Sequence, residues 1–232
     1  MKSLSIFFPC YNDKGTIGTL VLDAKRVAEK LTNDFEIIVI DDGSTDGSRD
    51  LLMDLKLKGE IPQFKLVLHE KNRGYGGALR SGFKAATKEL VFYTDGDGQY
   101  DVRELPLLWN KLTDDVDIVN GYKIKRHDPL HRIIIGYIYQ YTIKVLFALK
   151  IKDVDCDFRL MRRKIFDTIN LTRNEGTVCV ELVKKIELAG FKFTEVGVSH
   201  RFRTYGTSQF FNFKRVYKTL LRLADLWFEI MI

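Results

Sequence analysis

Leu90-Val91-Phe92-Tyr93-Thr94-Asp95-Gly96-Asp97-Gly98-Gln99 decides how this chain is read. Five apolar or β-favouring residues run without alternation, as in a strand covered on both faces, and end abruptly in a polar turn with two carboxylates. The same grammar appears upstream. Leu4 to Phe8 runs into Pro9-Cys10-Tyr11-Asn12-Asp13, Phe35 to Ile40 into Asp41-Asp42-Gly43-Ser44-Thr45-Asp46-Gly47, and Lys65 to Leu68 is followed by Asn72-Arg73-Gly74-Tyr75-Gly76-Gly77. Between these runs lie helical stripes, the clearest being Ile17, Leu20, Val21, Ala24, Val27, Ala28 and Leu31 at three- and four-residue steps. Shorter ones fall at Leu51, Leu52 and Leu55, and at Ala78, Leu79, Phe83 and Ala86. Strand and helix in alternation predict an α/β fold, a Rossmann-like and mostly parallel sheet with helices on both faces. In such a sheet the carboxyl ends of the strands open on one rim, where ligands bind, so the four polar clusters converge on one predicted site.

Further along the pattern loosens. Val116 to Val119 reads as a fifth strand, Leu130 to Leu149 as a long helix, Val180 to Ala189 as another helix and Phe191 to Val198 as a returning strand. No internal repeat is present.

Composition agrees with one sizeable domain: 232 residues, 45% hydrophobic and 29% charged, which excludes disordered and fibrous classes. Cys10, Cys156 and Cys179 lie far apart with no C-x-x-C spacing. A reducing compartment fits them better than a disulfide framework or a zinc site. The apolar run at Leu4 is too short for a secretory leader and is broken by Pro9. Ile133 to Leu149 contains Gly136, Gln140 and Lys144 and falls short of a membrane span. A cytoplasmic chain is therefore expected.

The net charge is +6, and the excess is concentrated late. From residue 196 onward six basic residues face only Asp225 and Glu229. There Phe210, Phe211, Phe213, Tyr217, Leu220, Leu221, Leu226, Trp227 and Phe228 interleave with Lys214, Arg215, Lys218 and Arg222, the composition of a helix lying in a membrane interface, or of a core or dimer helix. Two regions follow from this: a domain over 1–209 and an amphipathic C-terminal helix over 210–232. Nucleic acid is not an expected partner, because the cations sit among large aliphatics and no recognition motif appears.

Asp95-x-Asp97 on a turn leaving a buried strand can aim two carboxylates at one hard cation, and magnesium or manganese is expected, with the remaining ligands coming from phosphate oxygens and water. An EF-hand is excluded, since Tyr100 and Pro106 occupy the positions of its glycine and bidentate glutamate. Arg73-Gly74-Tyr75-Gly76-Gly77 matches neither phosphate-loop pattern; its glycines suit close backbone approach to a ligand and a helix start near Gly76. The four histidines are scattered and read as structural.

The ordered set Phe8-Pro9-Cys10-Tyr11-Asn12-Asp13, Asp41 to Gly47, Asn72-Arg73-Gly74 and Asp95 to Gln99 resembles family 2 glycosyltransferases of the GT-A fold, most of all the dolichyl and polyprenyl phosphate sugar synthases. The resemblance spans about residues 3 to 209. It implies an inverting, metal-dependent transfer of a sugar from a UDP- or GDP-linked donor to a polyprenyl phosphate at the cytoplasmic face of a membrane. Carried over by position, Pro9, Tyr11, Asp13 and Asp42 hold the base and ribose, with Asp13 where Glu is usual. Asp95, Asp97 and Gln99 fall on the metal and diphosphate motif, and Arg73 and Gly74 on the donor loop. Asp153 to Leu160 aligns with D-x-T-S-G-F-R-L, Asp155 and Asp157 standing where small neutral residues are usual. Arg203-x-x-Gly206-x-Ser208 aligns with the R-x-x-G-x-S segment over the donor phosphates. Lys123 stands where Arg is frequent, Gly136 where Ser is frequent, and Gln209 where Lys is common after Ser208.

On this reading Asp95, Asp97, Arg203 and Asp157 are the catalytic candidates, with Lys123 or Arg132 assisting the leaving diphosphate. A lipid phosphate is already anionic. A sugar hydroxyl, the alternative acceptor, needs a carboxylate base such as Asp155 or Asp157; the structural alternative for both is capping, or ion pairing with Arg159, Arg162 or Arg163. A non-catalytic nucleotide or lipid-phosphate binding module is the third reading.

Overall fold

A computed structural model describes residues 2–125, 130–205 and 213–232, with the side chains of 130–132, 134 and 213–217 outside the description. Along the chain come β1 (Leu4–Cys10), α1 (Ile17–Leu31), β2 (Phe35–Asp41), α2 (Ser48–Lys58), β3 (Phe64–Leu68), α3 (Tyr75–Ala85) and β4 (Leu90–Thr94). Next are a 3₁₀ turn (Val102–Glu104), α4 (Leu105–Lys111), β5 (Ile118–Lys123), α5 (Leu130–Leu146), β6 (Phe158–Arg162), α6 (Ile165–Thr168), α7 (Val178–Leu188), β7 (Phe193–Val198) and α8 (Phe213–Met231).

The seven strands form one sheet in the order β3-β2-β1-β4-β6-β5-β7. β1, β2 and β4 are buried along their whole length, so their side chains are apolar on both faces without alternation. Leu4, Ile6 and Phe8 pack under α1, whose buried stripe is Ile17, Leu20, Val21, Ala24, Val27 and Ala28. Phe7, Val91 and Tyr93 pack on the opposite face with Ala78, Leu79 and Phe83 of α3 and Val178 and Leu182 of α7. The sheet is thus covered on both faces, as the sequence predicts.

β6 departs from the alternation. It runs antiparallel to both β4 and β5, while β5 pairs in parallel with β7. The sequence pattern missed it because Arg159 and Arg162 interrupt the apolar run. Antiparallel entry has a geometric consequence: Phe158, the first residue of β6, pairs with Thr94, the last of β4. The segment leading into β6 therefore meets the rim from which β1, β2, β4, β5 and β7 leave.

A third core lies outside the sheet. Ile143 of α5 and Phe147 just after it, Val180 and Val183 of α7, and Leu223 and Leu226 of α8 form it together with Ile151 and Val154. The Trp227 indole donates to the Leu146 carbonyl at 2.8 Å. Arg173 pairs with Asp225 and Glu229, and Arg222 with Glu175 at 2.7 Å. One side of α8 is thus packed into the protein, the use of apolar residues that a core helix makes. Among the described residues no helix is long and apolar enough to cross a membrane.

Candidate active site

The loops leaving β1, β2, β3 and β4 touch one another at the rim. Asn12, at φ 59° in the left-handed region Asn tolerates, accepts from the Thr45 N–H at 2.8 Å, and its own N–H donates to Ser44 Oγ at 3.0 Å. The Asp13 N–H donates to Ser48 Oγ at 3.1 Å. These bonds stitch the first cluster to the second. Asp42 receives the Arg73 N–H at 2.8 Å and sits 2.6 Å from His69 Nδ1, whose Nε2 is 2.9 Å from Ser81 Oγ. That links the second cluster to the third. Gly96 presses against the first, because a Cβ there would lie 2.7 Å from the Pro9 carbonyl and 3.3 Å from Asp13 Oδ2; only glycine fits between Asp95 and Asp97. Thr16 Oγ1 donates to the Gly96 carbonyl at 2.7 Å and fixes the loop.

The carboxylates gather there. Asp13, Asp42 and Asp97 are 5%, 3% and 9% exposed. Asp95 accepts from the Tyr75 hydroxyl at 2.6 Å and Asp97 from the Gln99 N–H at 3.0 Å. Burial, then the nearby charges of Asp157 and Asp97, push the Asp95 carboxyl well above the usual carboxylate range. Burial raises Asp97 against the opposing pull of the Gln99 N–H and Arg203. Burial likewise moves Asp13 from 3.8 up to about 6, against the Tyr11 N–H and Arg203, with Asp97 adding to the rise. Negative charge is concentrated beyond what the local protein neutralises, which suits a cation-binding site.

Arg203 enters this cluster from the segment after β7. Its guanidinium lies 3.0 Å from Asp13 Oδ1 and 3.4 Å from Asp97 Oδ2. Gln99 and Arg201 exchange two bonds, the Arg201 N–H to the Gln99 carbonyl at 2.8 Å and the Gln99 amide to the Arg201 carbonyl at 3.1 Å. The segment 201–205 is thereby strapped to the Asp97 loop, and the Tyr205 ring closes on Gly15, where a Cβ would sit 2.4 Å from it.

The remaining candidates are placed as follows. Pro9 is buried in β1, and Tyr11 stands 39% exposed at the crevice edge. Gly74 adopts φ 79° with Asn174 O where a Cβ would be, at 2.4 Å. Arg73 and Gly74 line an open cavity of about 580 Å³ with Lys71, Asn72, Arg80, Asn174 and Glu175. Lys123 turns toward the segment before β6, its ammonium 2.8 Å from the Asp155 carbonyl and 3.4 Å from Asp153 Oδ2. Asp157 is held by Arg159 at 2.8 Å and by the Tyr93 hydroxyl at 2.9 Å, so its carboxylate is engaged in an ion pair. The side chain of Arg132, and Ser208 with Gly206 and Gln209, lie outside the described residues.

Sequence reasoning missed His69, Tyr75 and Tyr93 as positioning residues, whereas the pairing of Asp157 with Arg159 was one of its alternatives. Arg159 is fully buried; it binds Asp157, the Tyr93 hydroxyl, Asn120 Oδ1 at 2.6 Å and the Val154 carbonyl. An arginine inside an apolar strand needs a buried acid, and Asp157 two residues earlier on the same face supplies it.

Among the described residues no group of three or more His, Cys, Asp or Glu is arranged as a ready-made metal cage. Two carboxylates on one turn are what magnesium-type sites take from protein when substrate phosphates supply the rest.

The raised Asp13 carboxyl has a consequence for stability. A native carboxyl at about 6 binds its proton where the unfolded one, at 3.8, has lost it, so the native state weakens as pH rises from about 4 to 6 and the full cost persists above that. Asp13→Asn is expected to gain roughly 2 to 3 kcal/mol relative to the native sequence between pH 4 and pH 7, measured by urea unfolding in chelator. Equal pH slopes for the two proteins would contradict this origin of the shift.

Comparison with known proteins bears on the fold and the family. Crystal structures of glucosyl-3-phosphoglycerate synthase from Mycobacterium tuberculosis share the fold: the complex with uridine diphosphate superposes with a TM-score of 0.70 at 14% identity over 97% of this chain and 80% of that one. The complex with Mn2+ and uridine-diphosphate-glucose gives 0.68 at 16% identity, over 96% and 79%. An undecaprenyl-phosphate 4-deoxy-4-formamido-L-arabinose transferase from Salmonella choleraesuis is 26% identical over 231 residues, covering 100% of this chain and 67% of the relative. The protein of that name from Salmonella newport matches at the same identity and coverage. The family model "Glycosyl transferase family 2" matches residues 5–169, a span running from the second residue of β1 past the end of β6 and holding every rim carboxylate described above, and the chain belongs to that glycosyltransferase family.

Proposed function

We propose that the protein moves a sugar, with inversion, from a nucleoside diphosphate sugar to a polyprenyl phosphate at the cytoplasmic face of a membrane, with magnesium or manganese as cofactor. The observation that carries this reading is the meeting of Asp13, Asp95, Asp97 and Arg203 at the carboxyl ends of the strands. Pro9, Tyr11, Asp13, Asp42, Arg73 and Gly74 take the nucleotide, Asp42 being oriented by His69 and the Arg73 N–H. Asp95 and Asp97 would hold the metal beside the diphosphate, with Tyr75 and the Gln99 N–H fixing their oxygens. When bound, the cation would neutralise charge developing on the departing diphosphate. Arg203 binds the same phosphates bidentately, and Gln99 anchors its segment. Lys123, Arg132 and Ser208 complete the donor set.

The acceptor phosphate oxygen attacks the anomeric carbon as the bond to the donor diphosphate breaks, and needs no base. Asp157 favours this acceptor over a saccharide hydroxyl: tied to Arg159 and Tyr93, it positions the floor of the site rather than accepting a proton. The relatives named for transfer to undecaprenyl phosphate support the same choice, and the neighbours bound to uridine diphosphate and manganese support the donor and metal.

Incubation with radiolabelled nucleotide sugars, manganese and polyprenyl phosphate is expected to carry label into the organic phase. Label found only on soluble saccharides, or donor binding without turnover, would overturn the reading. A thermal-shift panel of nucleotide sugars identifies the donor, since a ligand bound by the native state alone raises apparent stability.

A further inference from the structure

We infer that Arg173 is a positioning residue for the donor site, through which α8 sets the loop 172–176 against the start of α3. The carbonyls of that loop lie on α3. The Asn174 carbonyl accepts from the Gly76 N–H at 2.8 Å, and a Cβ at Gly74 or Gly76 would collide with the Asn174 or the Arg173 carbonyl. Glycine at both positions is thus a condition for the loop to dock. Arg80 of α3 adds bonds to the Arg173 carbonyl and to Asn174 Oδ1. A first-turn amide has no carbonyl to meet within its own helix, so for Gly76 the loop supplies the partner.

Charge holds the loop in place. The N–H groups of Thr172 and Arg173 each donate to the buried Glu181 carboxylate at 2.9 Å. On the other side the Arg173 guanidinium forks onto Asp225 and Glu229 of α8, and Arg222 of α8 takes Glu175 at 2.7 Å. Isolated exposed ion pairs contribute little. This set differs, because one guanidinium, only 16% exposed, holds two carboxylates at once. Lys185 extends the network, 2.7 Å from Glu181 and 3.8 Å from Glu229. Charge-assisted forks of this kind fix geometry as well as adding energy.

The docked stretch of α3 is the one that orients the rim carboxylates. Tyr75, between the two glycines, donates its hydroxyl to Asp95 at 2.6 Å, and the N–H of Arg73, just before them, donates to Asp42 at 2.8 Å. Asn174 and Glu175 also share the 580 Å³ cavity with Arg73 and Gly74. A displaced loop therefore shifts the groups that aim Asp42 and Asp95, although α8 touches neither. That these carboxylates serve a nucleotide and its metal rests on the proposed function; the tie from α8 to α3 does not. On this inference the C-terminal helix works as one unit with residues 1–209.

The test uses Asp225→Asn/Glu229→Gln, which removes both charges at exposed positions of α8 and keeps their size. In hydrogen exchange on the full chain without nucleotide, the Gly76 amide is expected to exchange about tenfold faster, with the amides of β1 and β4 unchanged. Isothermal titration with manganese plus uridine diphosphate, and plus guanosine diphosphate, is expected to show nucleotide affinity lower by about fivefold or more. Arg173→Gln should reproduce both effects, and the triple variant should be no worse than either, as for residues acting as one unit. Arg173→Lys should recover part of the affinity, keeping charge without the fork. Native protection of Gly76 in the double variant overturns the inference. So does lost protection with unchanged nucleotide affinity, or additive effects in the triple variant. A native protein that binds neither nucleotide counts against the proposed function, and the Gly76 exchange with its additivity test then decides alone whether α8 sets the loop.

Discussion

Asp97→Ala is expected to lower turnover by about a thousandfold or more while the protein stays folded. The argument has two halves. Asp97 is 9% exposed and its Oδ2 points toward the Arg203 guanidinium at 3.4 Å, so it belongs to the charged floor of the crevice and not to the apolar cores. Its removal loses the bond from the Gln99 N–H, about 1 kcal/mol. It also removes a carboxylate that burial and Asp157 disfavour as an anion, so the net change in stability is small. On the proposed function, turnover depends on stabilising the departing diphosphate, and losing a group that organises such stabilisation costs roughly 3 to 4 kcal/mol or more. Manganese titration of the variant, followed by thermal shift with nucleoside diphosphate, gives a second readout: the manganese-dependent increment should vanish. Full activity of Asp97→Ala with the metal chelated would refute the role.

The parts of the fold that were legible in the sequence are those where burial on both faces leaves no choice of residue. β1, β2 and β4 read as strands because every position is covered, and the polar turn after each is abrupt. The second half is harder for a physical reason. β6 carries Arg159 into the core, and that burial is tolerable because Asp157 and the Val154 carbonyl just before the strand, with the distant Tyr93 and Asn120, satisfy it. The fifth strand is Ile118–Lys123 rather than Val116 to Val119, because Gly121, Tyr122 and Lys123 continue the pairing with β7 beyond the apolar run. α5 ends at Leu146 rather than Leu149; Ala148 turns left-handed at φ 49°, a backbone event without an apolar signal.

The site divides the same way. Asp42, Asp95 and Asp97 were legible because strand ends in a parallel sheet share a rim. His69 and Tyr75 were not, since the sequence holds them 27 and 20 residues from the carboxylates they orient. A single histidine between a strand and a loop carries no periodic signal, and its role as the partner of Asp42 exists only once β2 and β3 lie side by side. The tail shows how one composition serves two purposes. Leu223 and Leu226 turn into the third core, and the residues suited to an interface on α8 are those left over on its outer side.

Arg203→Ala is expected to lower turnover by about a hundred- to a thousandfold, roughly 3 to 4 kcal/mol in the barrier, and at the same time to tighten manganese binding in the absence of nucleotide. Both effects follow from one contact set. Arg203 is the counter-ion of Asp13 and Asp97, occupying with its guanidinium the charge that a divalent cation would neutralise. Deleting it leaves two buried carboxylates uncompensated and removes a competitor for Asp97. The donor diphosphate of the proposed reaction, by contrast, would lose a bidentate partner, so nucleotide affinity is expected to fall as metal affinity rises. Arg203→Lys should restore part of the turnover, because an ammonium supplies charge without the planar fork. Isothermal titration with manganese alone, then with nucleoside diphosphate, separates the two effects. Weaker manganese binding in Arg203→Ala, or native turnover, would show that the guanidinium neither screens the carboxylates nor meets the phosphates, and that the strap from Arg201 to Tyr205 holds the loop together without touching the chemistry.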